Sequence, residues 1–314
     1  MANAESEPDL FPAAREPPPR ALTRLSPMMR RIVAPNASPL TFNGTCTYIV
    51  GEGAVAIVDP GPDDDSHLSA LLSAIEGEQL ETILVTHTHR DHSGGANKLR
   101  AAAGARLVGA APLTPRVDGM GGLDASHDRD YSPDAILADG ERLHGSGYSI
   151  EAVATPGHCS NHLCFALLEE GALFSGDHVM AWSTSIVAPP DGSMRAYMAS
   201  LEKLRRRDEK IYWPGHGGPV LEPQRYLRAL IHHRRQREAS ILTALGDGAQ
   251  TIPALVAKVY TGLSPSLTGA AGLSTLAHLE DLRERGLVVA EAPDGGAARF
   301  RLAERRGPFS DKLA

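Results

Sequence analysis

Short apolar runs, each broken by glycine, proline or acidic turns, recur along the first two thirds of the chain. "TCTYIVG" (45–51) and "AVAIVDPG" (54–61) are β-patterned and meet through Gly51, Glu52 and Gly53, which predicts a hairpin. Leu68, Leu71, Leu72 and Ile75 then fall at helical spacing and predict a helix from Ser66 to Glu76. "TILVTHTH" (82–89) predicts a buried strand, "SGGANKLRAAAG" a helix capped by Ser93 and ended at Gly104, and "ARLVGA" another strand. Residues 111–135 lack a period and read as a turn-rich insertion. Strands return at 148–155, at 163–176 as a hairpin turning over 169–171, and at 210–215. "MRAYMASLEKLRRR" is an amphipathic helix between them. Hairpins interleaved with helices predict a layered α/β protein rather than an all-parallel sheet.

From Pro223 the texture changes. "QRYLRALIHHRRQREASILTALG" predicts a long helix, "TIPALVAKVY" and "LTGAAGLSTLAHLEDLRERG" two more, and "LVVAEAPDGGAARFRLA" a hairpin turning at Pro293–Gly296. Helices followed by a hairpin wing are the order of a winged helix. The division predicted is a Pro-, Ala- and acid-rich tail (1–27), a main domain (28–222), and a connector helix with a winged-helix-like domain (223–314).

Composition narrows the class. With 314 residues, 42% hydrophobic and 22% charged, the chain suits a globular enzyme with a large core. A net charge of -7 gives no support for a general nucleic-acid surface. Residues 223–304 hold ten Lys or Arg against eight Asp or Glu, which argues against DNA binding by the winged segment. Gripping a single-stranded substrate, covering the active site or forming a homodimer are the roles left to it. Cys46, Cys159 and Cys164 are too few for a disulfide framework, the N-terminus lacks a secretory pattern, and no run of about 18 apolar residues occurs. The expectation is a cytoplasmic protein without a membrane span.

The chemistry concentrates in "THTHRDHSGG". His87 and His89 lie two apart, so an extended chain points both to one face, and Asp91 and His92 follow at the turn. Later runs end in glycine-containing turns that present His158 ("TPGH"), Asp177 ("SGDH") and His216 ("YWPGHGGP"). Five histidines and two aspartates exceed one tetrahedral ion and suit two metals, with Asp177 the candidate bridge. Such imidazole–carboxylate sets take zinc first, with manganese or iron as alternatives. Asp59, at the end of "AIVD", is a candidate to accept a hydrogen bond from a ligand histidine or from backbone. Thr88, and Ser183, Thr184 and Ser185 in the loop after Asp177, are candidates for the pocket rim. His162 and His178 have either a supporting or a packing role; His67, His127, His144, His232, His233 and His278 read as surface or packing residues.

These motifs, in this order, resemble those of the metallo-β-lactamase superfamily over residues 30–222. The resemblance implies an αββα sandwich with a metal site at one edge of two sheets. It implies His87, His89 and His158 on one metal, Asp91, His92 and His216 on the other, and Asp177 between them. "FNGTCTYIVG" and the winged segment make the chain most similar to the branch called β-lactamase-like protein 2, which includes an endoribonuclease acting on single-stranded RNA. That branch usually has an aromatic residue where this chain has Thr88.

The implied activity is a dinuclear metal-dependent hydrolase using a metal-bridging hydroxide, with Asp91 and Asp177 as catalytic residues. A phosphodiesterase or endoribonuclease-like reaction on single-stranded RNA comes first. Hydrolysis of a small-molecule thioester, ester or lactone, the chemistry of glyoxalase II, is the alternative. A DNA-binding, metal-sensing regulator is a third reading that the charge count opposes.

Overall fold

The computed structural model describes residues 21–113, 126–291 and 297–304. Contacts divide the chain into two units, Met1–Ile231 and His232–Ala314. The sequence places the boundary at 222, where helix α5 (Pro223–Leu245) starts, but the division falls inside that helix. Its first turns pack into the larger unit: Leu227, Leu230 and Ile231 are buried, and Tyr226 donates to the Met180 carbonyl at 2.6 Å.

The larger unit holds two sheets. The first runs β1 (Thr23–Arg24), β2 (Met29–Val33), β3 (Cys46–Glu52), β4 (Ala54–Val58), β5 (Gln79–Val85), β6 (Arg106–Gly109) and β7 (Ala135–Ile136), in that spatial order. Thr23 pairs with Arg31, so the sheet reaches into the stretch assigned to the tail. Pairings are antiparallel through β4 and parallel from β4 to β7. Parallel neighbours need crossovers, which α1 (Asp65–Ala74) and α3 (Ala96–Ala103) supply. The second sheet comprises β8 (Arg142–His144), β9 (Ser149–Ala154), β10 (Leu163–Leu167), β11 (Ala172–Gly176) and β12 (Ile211–Pro214), ordered 12-11-10-9-8. Helix α4 (Met194–Leu204) links the parallel pair β11 and β12.

Alternation along β3 explains the layering. Cys46, Tyr48 and Val50 join a cluster with Phe165, Leu167, Phe174 and Trp213 of the second sheet. Ile49 points the other way, into a cluster with Leu71 of α1 and Leu99 of α3. Each large apolar side chain buried between the sheets contributes about 1.5–3 kcal/mol. Helix α4 buries Tyr197, Leu201 and Leu204 and ties to the end of β9 through Lys203 and the Ala154 carbonyl, 2.8 Å. The result is a mixed α/β sandwich, helices outside and two sheets within.

The smaller unit has its own core of Ile241, Leu245, Leu255, Leu279, Leu282, Val288 and Phe300. Helices α6 (Ile252–Val259) and α7 (Thr268–Glu284) precede the strands β14 (Val288–Glu291) and β15 (Arg299–Leu302), with β13 (Gln250–Thr251) on the far edge of β15. Thr251 caps α6 by accepting from the Ala254 amide. This is winged-helix order. The turn at 293–296, residues 114–125 of the insertion and residues 1–20 lie outside the described residues.

Candidate metal centre

Strands β4 and β5 end side by side, at Val58 and Val85. The strand expected to run through His89 stops earlier. Its next amide, Thr86 N–H, donates to the Asp59 carboxylate at 2.8 Å rather than to a strand carbonyl. Asp59 sits at φ 52, a left-handed conformation that aspartate tolerates better than most residues. Its Oδ2 accepts from the Thr86 hydroxyl at 2.8 Å and meets His92 Nδ1 at 2.9 Å.

Past Val85 the chain passes His87 and His89 and then coils into the short helix α2 (Arg90–Ser93). Ser93 ends this helix instead of capping α3: its hydroxyl donates to the His89 carbonyl at 3.1 Å, and Gly95 precedes α3. Gly94 lies against the 60–63 loop, where a Cβ would come within 2.9 Å of the Asp63 nitrogen. The glycine pair therefore lets the Asp59 loop and the α2 turn pack backbone to backbone.

Seven side chains from four strand ends converge at this edge. Donor atoms of His87, His89, His158 and Asp177 all lie within 4.8 Å of one another, as do those of Asp91, His92 and His216. His87 Nε2 and His158 Nε2 each stand 3.0 Å from His89 Nδ1, and His92 Nε2 stands 3.3 Å from His216 Nε2. Asp177 faces both groups, with Oδ1 3.4 Å from His92 and His216 and Oδ2 3.7 Å from His158.

Four of the five imidazoles are tethered by the nitrogen that points away from this centre. His87 Nδ1 meets the Thr86 hydroxyl, His92 Nδ1 meets Asp59, His158 Nδ1 donates to the Ile186 carbonyl at 2.6 Å, and His216 Nδ1 to the Gly44 carbonyl at 3.3 Å. An outer N–H committed to an acceptor leaves a lone pair on the inner nitrogen. Burial pushes His87 and His89 well below the ordinary histidine value, so both are neutral, the form that coordinates metal. His92 behaves oppositely: burial opposes its protonation, but Asp177, Asp91 and Asp59 outweigh it and raise its pKa well above the usual value. His216 is likewise pushed up to about 9, its burial overcome by Asp177 and Asp91. Asp91 and Asp177 are held far below the usual carboxylate range by His92 and His216, against burial.

Two crowded sets of imidazoles around charged carboxylates are a coordination sphere in shape. The matched family model is that of the metallo-beta-lactamase superfamily, over residues 40–216. The chain belongs to the metallo-β-lactamase superfamily. Its C-terminal residues 251–296 match the beta-lactamase associated winged helix domain. A beta-lactamase-like protein 2 homolog of Drosophila melanogaster is 33% identical over 87% of this chain and 94% of that one. An atrochrysone carboxyl ACP thioesterase of Aspergillus fumigatus is 32% identical over 70% of this chain and 66% of its own length. Among solved structures, a metallo-beta-lactamase family protein from Thermus thermophilus superposes with a TM-score of 0.73 at 25% identity, covering 89% of this chain and all (100%) of that one. A beta-lactamase domain protein from Burkholderia ambifaria gives 0.77 at 21% identity, covering 93% and 97%.

The superfamily holds two divalent metals, and the residues present fit them. Asp177 Oδ1 is buried with no hydrogen-bond partner among the described residues, an arrangement that is costly for a carboxylate unless a cation completes it. Gly215 is part of the fit: a Cβ there would stand 2.4 Å from His92 Cε1 and 2.8 Å from Asp177 Oδ1.

A cleft of ≈ 190 Å³ opens over the centre, lined by His89, Asp91, His158, Asp177 and His216 and, beyond them, by Ser38, Leu40, Thr41, Met180 and Ile186. The rim expected from sequence is corrected here. Thr88 is fully buried and bonds to His127 and Asn161, away from the cleft. Ser185 is buried and donates to the His178 carbonyl at 2.8 Å, and neither Ser183 nor Thr184 lines the cleft. The loop after Asp177 does contribute, but through Met180 and Ile186, and the rest of the wall is Ser38, Leu40 and Thr41, in a stretch whose lack of periodic pattern gave no signal in the sequence. His67 and His127, read as surface or packing residues, are buried and hydrogen-bonded to Thr47 and Thr88. His162 lies behind His87, its Nε2 accepting from the Asp177 amide at 3.2 Å.

Proposed function

We propose that this hydrolase cleaves the acyl bond of a small thioester or ester, with His87, His89 and His158 holding one metal, Asp91, His92 and His216 the other, and Asp177 between them. The carrying observation is the cleft. Its outer wall is Leu40, Met180 and Ile186 together with Ser38 and Thr41, and no Lys or Arg lines it among the described residues. A polynucleotide track needs cations for its phosphates, whereas an acyl chain needs apolar wall and a small volume. Thioesterases among the relatives support the same reading. Zinc is the metal that the imidazole-rich donor set favours. The three cysteines, all buried and unpaired, suit a reducing compartment such as the cytoplasm.

Bound divalent metals supply Lewis acidity and lower the pKa of water. The chain supplies the rest. Asp91, partly open to the cleft and ionised, accepts a proton from the attacking water or passes it to the leaving group. The Asp59–His92 and Ile186–His158 hydrogen bonds fix the imidazoles so that no reorganisation is needed during reaction. Leu40 and Ile186 hold the acyl group and exclude water from it.

The likeness to a β-lactamase-like protein 2 homolog keeps single-stranded RNA as the second reading. A panel of short acyl-pantetheine thioesters, aryl esters, lactones and single-stranded RNA, assayed with zinc- and manganese-loaded wild type beside Asp177→Ala, separates the two. Turnover of thioesters or esters that Asp177→Ala loses is the expected result. Cleavage of RNA alone would overturn the acyl reading, and no difference from Asp177→Ala on any substrate would overturn both.

A further inference from the structure

His89 differs from the four other clustered imidazoles. They present Nε2 inward and are tethered through Nδ1, whereas His89 presents Nδ1 inward and its Nε2 makes no hydrogen bond among the described residues. Nothing polar therefore stops its ring from turning about the Cβ–Cγ bond. What lies against it is another ring. His127, which precedes β7, sits 4.4 Å from His89 between centroids, at 45°.

His127 is itself held on every side. It is 4% exposed, and its backbone bridges to that of His89, with the Asp128 amide donating to the Thr88 carbonyl at 2.6 Å. Its Nδ1 lies 2.8 Å from the Thr88 hydroxyl, which already accepts from Asn161 Nδ2 at 2.8 Å. The Thr88 hydroxyl proton is then free to donate to His127, which leaves the ring N–H on Nε2, facing Asp191 Oδ2 at 3.7 Å. Asp191 in turn accepts from the Ser160 amide at 2.9 Å, two residues after His158. One network thus spans the turn bearing His89 and the turn bearing His158.

We infer that His127 is a positioning residue for the His89 imidazole, and that Thr88 serves to hold His127 in place. A ring packed against it at a tilt does for His89 what an outer hydrogen bond does for the others: it confines the ring so that Nδ1 stays aimed inward. Histidine suits the place because it offers a flat face to His89 and a polar edge to Thr88, which aliphatic residues cannot combine. The inference rests on His89 as a metal ligand and is independent of the substrate class.

The test uses the full chain and variants His127→Phe, His127→Gln, Thr88→Val and, as control, His89→Ala. Zinc affinity is read by competition with a chromophoric chelator, ligand geometry by the visible spectrum of the cobalt(II)-loaded protein, and folding by thermal melts of the metal-free chain. Expected is a loss of about 10–100-fold in affinity at one of two sites for His127→Gln, with a changed cobalt spectrum, the range seen when a group orienting a metal ligand is removed. Thr88→Val and His127→Phe, which each break the Thr88–His127 hydrogen bond but keep a ring against His89, move the same way by less. If His127→Gln matches wild type and His127→Phe in affinity and spectrum while His89→Ala loses one metal, the positioning role is wrong. If His89→Ala keeps both metals, the ligand assignment fails and takes the inference with it.

Discussion

Asp59→Asn isolates the orienting role of a carboxylate that touches neither cleft nor solvent. Asp59 is 2% exposed and accepts from three donors: the Thr86 amide (2.8 Å), the Thr86 hydroxyl (2.8 Å) and His92 Nδ1 (2.9 Å). An asparagine retains one oxygen for the Thr86 amide and turns its NH₂ toward Thr86 Oγ1 and His92 Nδ1. The hydroxyl can reverse and accept. The imidazole N–H cannot, so His92 must give up its Nδ1 proton and keep the one on Nε2, the nitrogen that faces His216 and Asp177. The cost in folding should be small, about 1 kcal/mol for one exchanged hydrogen bond, while metal affinity at the Asp91, His92, His216 cluster should fall about 10–100-fold. Asp59→Ala leaves all three buried donors unpaired and should cost about 3–5 kcal/mol in stability as well. The assay is urea unfolding of the metal-free proteins together with metal content after dialysis at fixed free zinc. Two metals bound by Asp59→Asn with wild-type affinity would refute the orientation argument.

Two further predictions concern packing and pH. Gly215→Ala should lose metal at the second cluster even where the chain still folds, because its Cβ would overlap His92 and Asp177; metal content equal to wild type, measured the same way, would contradict the close approach. His67 is buried against Thr47, and that burial, opposed in part by Asp64, lowers its pKa to about 4. A depressed histidine contributes stability that is complete above the unfolded value near 6.5 and is lost as pH falls toward about 4, here about 3 kcal/mol. Unfolding of metal-free His67→Gln followed from pH 8 to 3.5 should lack that part of the wild-type decline, and parallel curves would remove His67 as the cause.

Particular elements show what was legible in the chain. The β3–β4 hairpin and the strands around 149–176 announce themselves because both faces of each strand are buried, so each reads as a short apolar run bounded by turn residues. The same rule carried "TILVTHTH" too far. Hydrophobicity and spacing do not reveal that the Asp59 carboxylate, 27 residues upstream, captures the Thr86 amide and ends the ladder. Ser93 shows a similar limit: a serine before an alanine-rich helix is a good cap, but here it belongs to a separate turn.

The motifs that bear the clustered histidines and aspartates stand out in the sequence because each sits at a strand end beside glycine, where local chemistry alone is unusual. His127 could not be named. Its meaning comes from Thr88, 39 residues away, and "ASHDRD" carries no pattern that separates it from any polar loop. Histidines clustered within six residues already dictate metal chemistry, since no other use of so many imidazoles and carboxylates repays their burial. Which nitrogen points inward, which rings are tethered and what lines the cleft are long-range contacts, and only the closed sandwich brings those residues together.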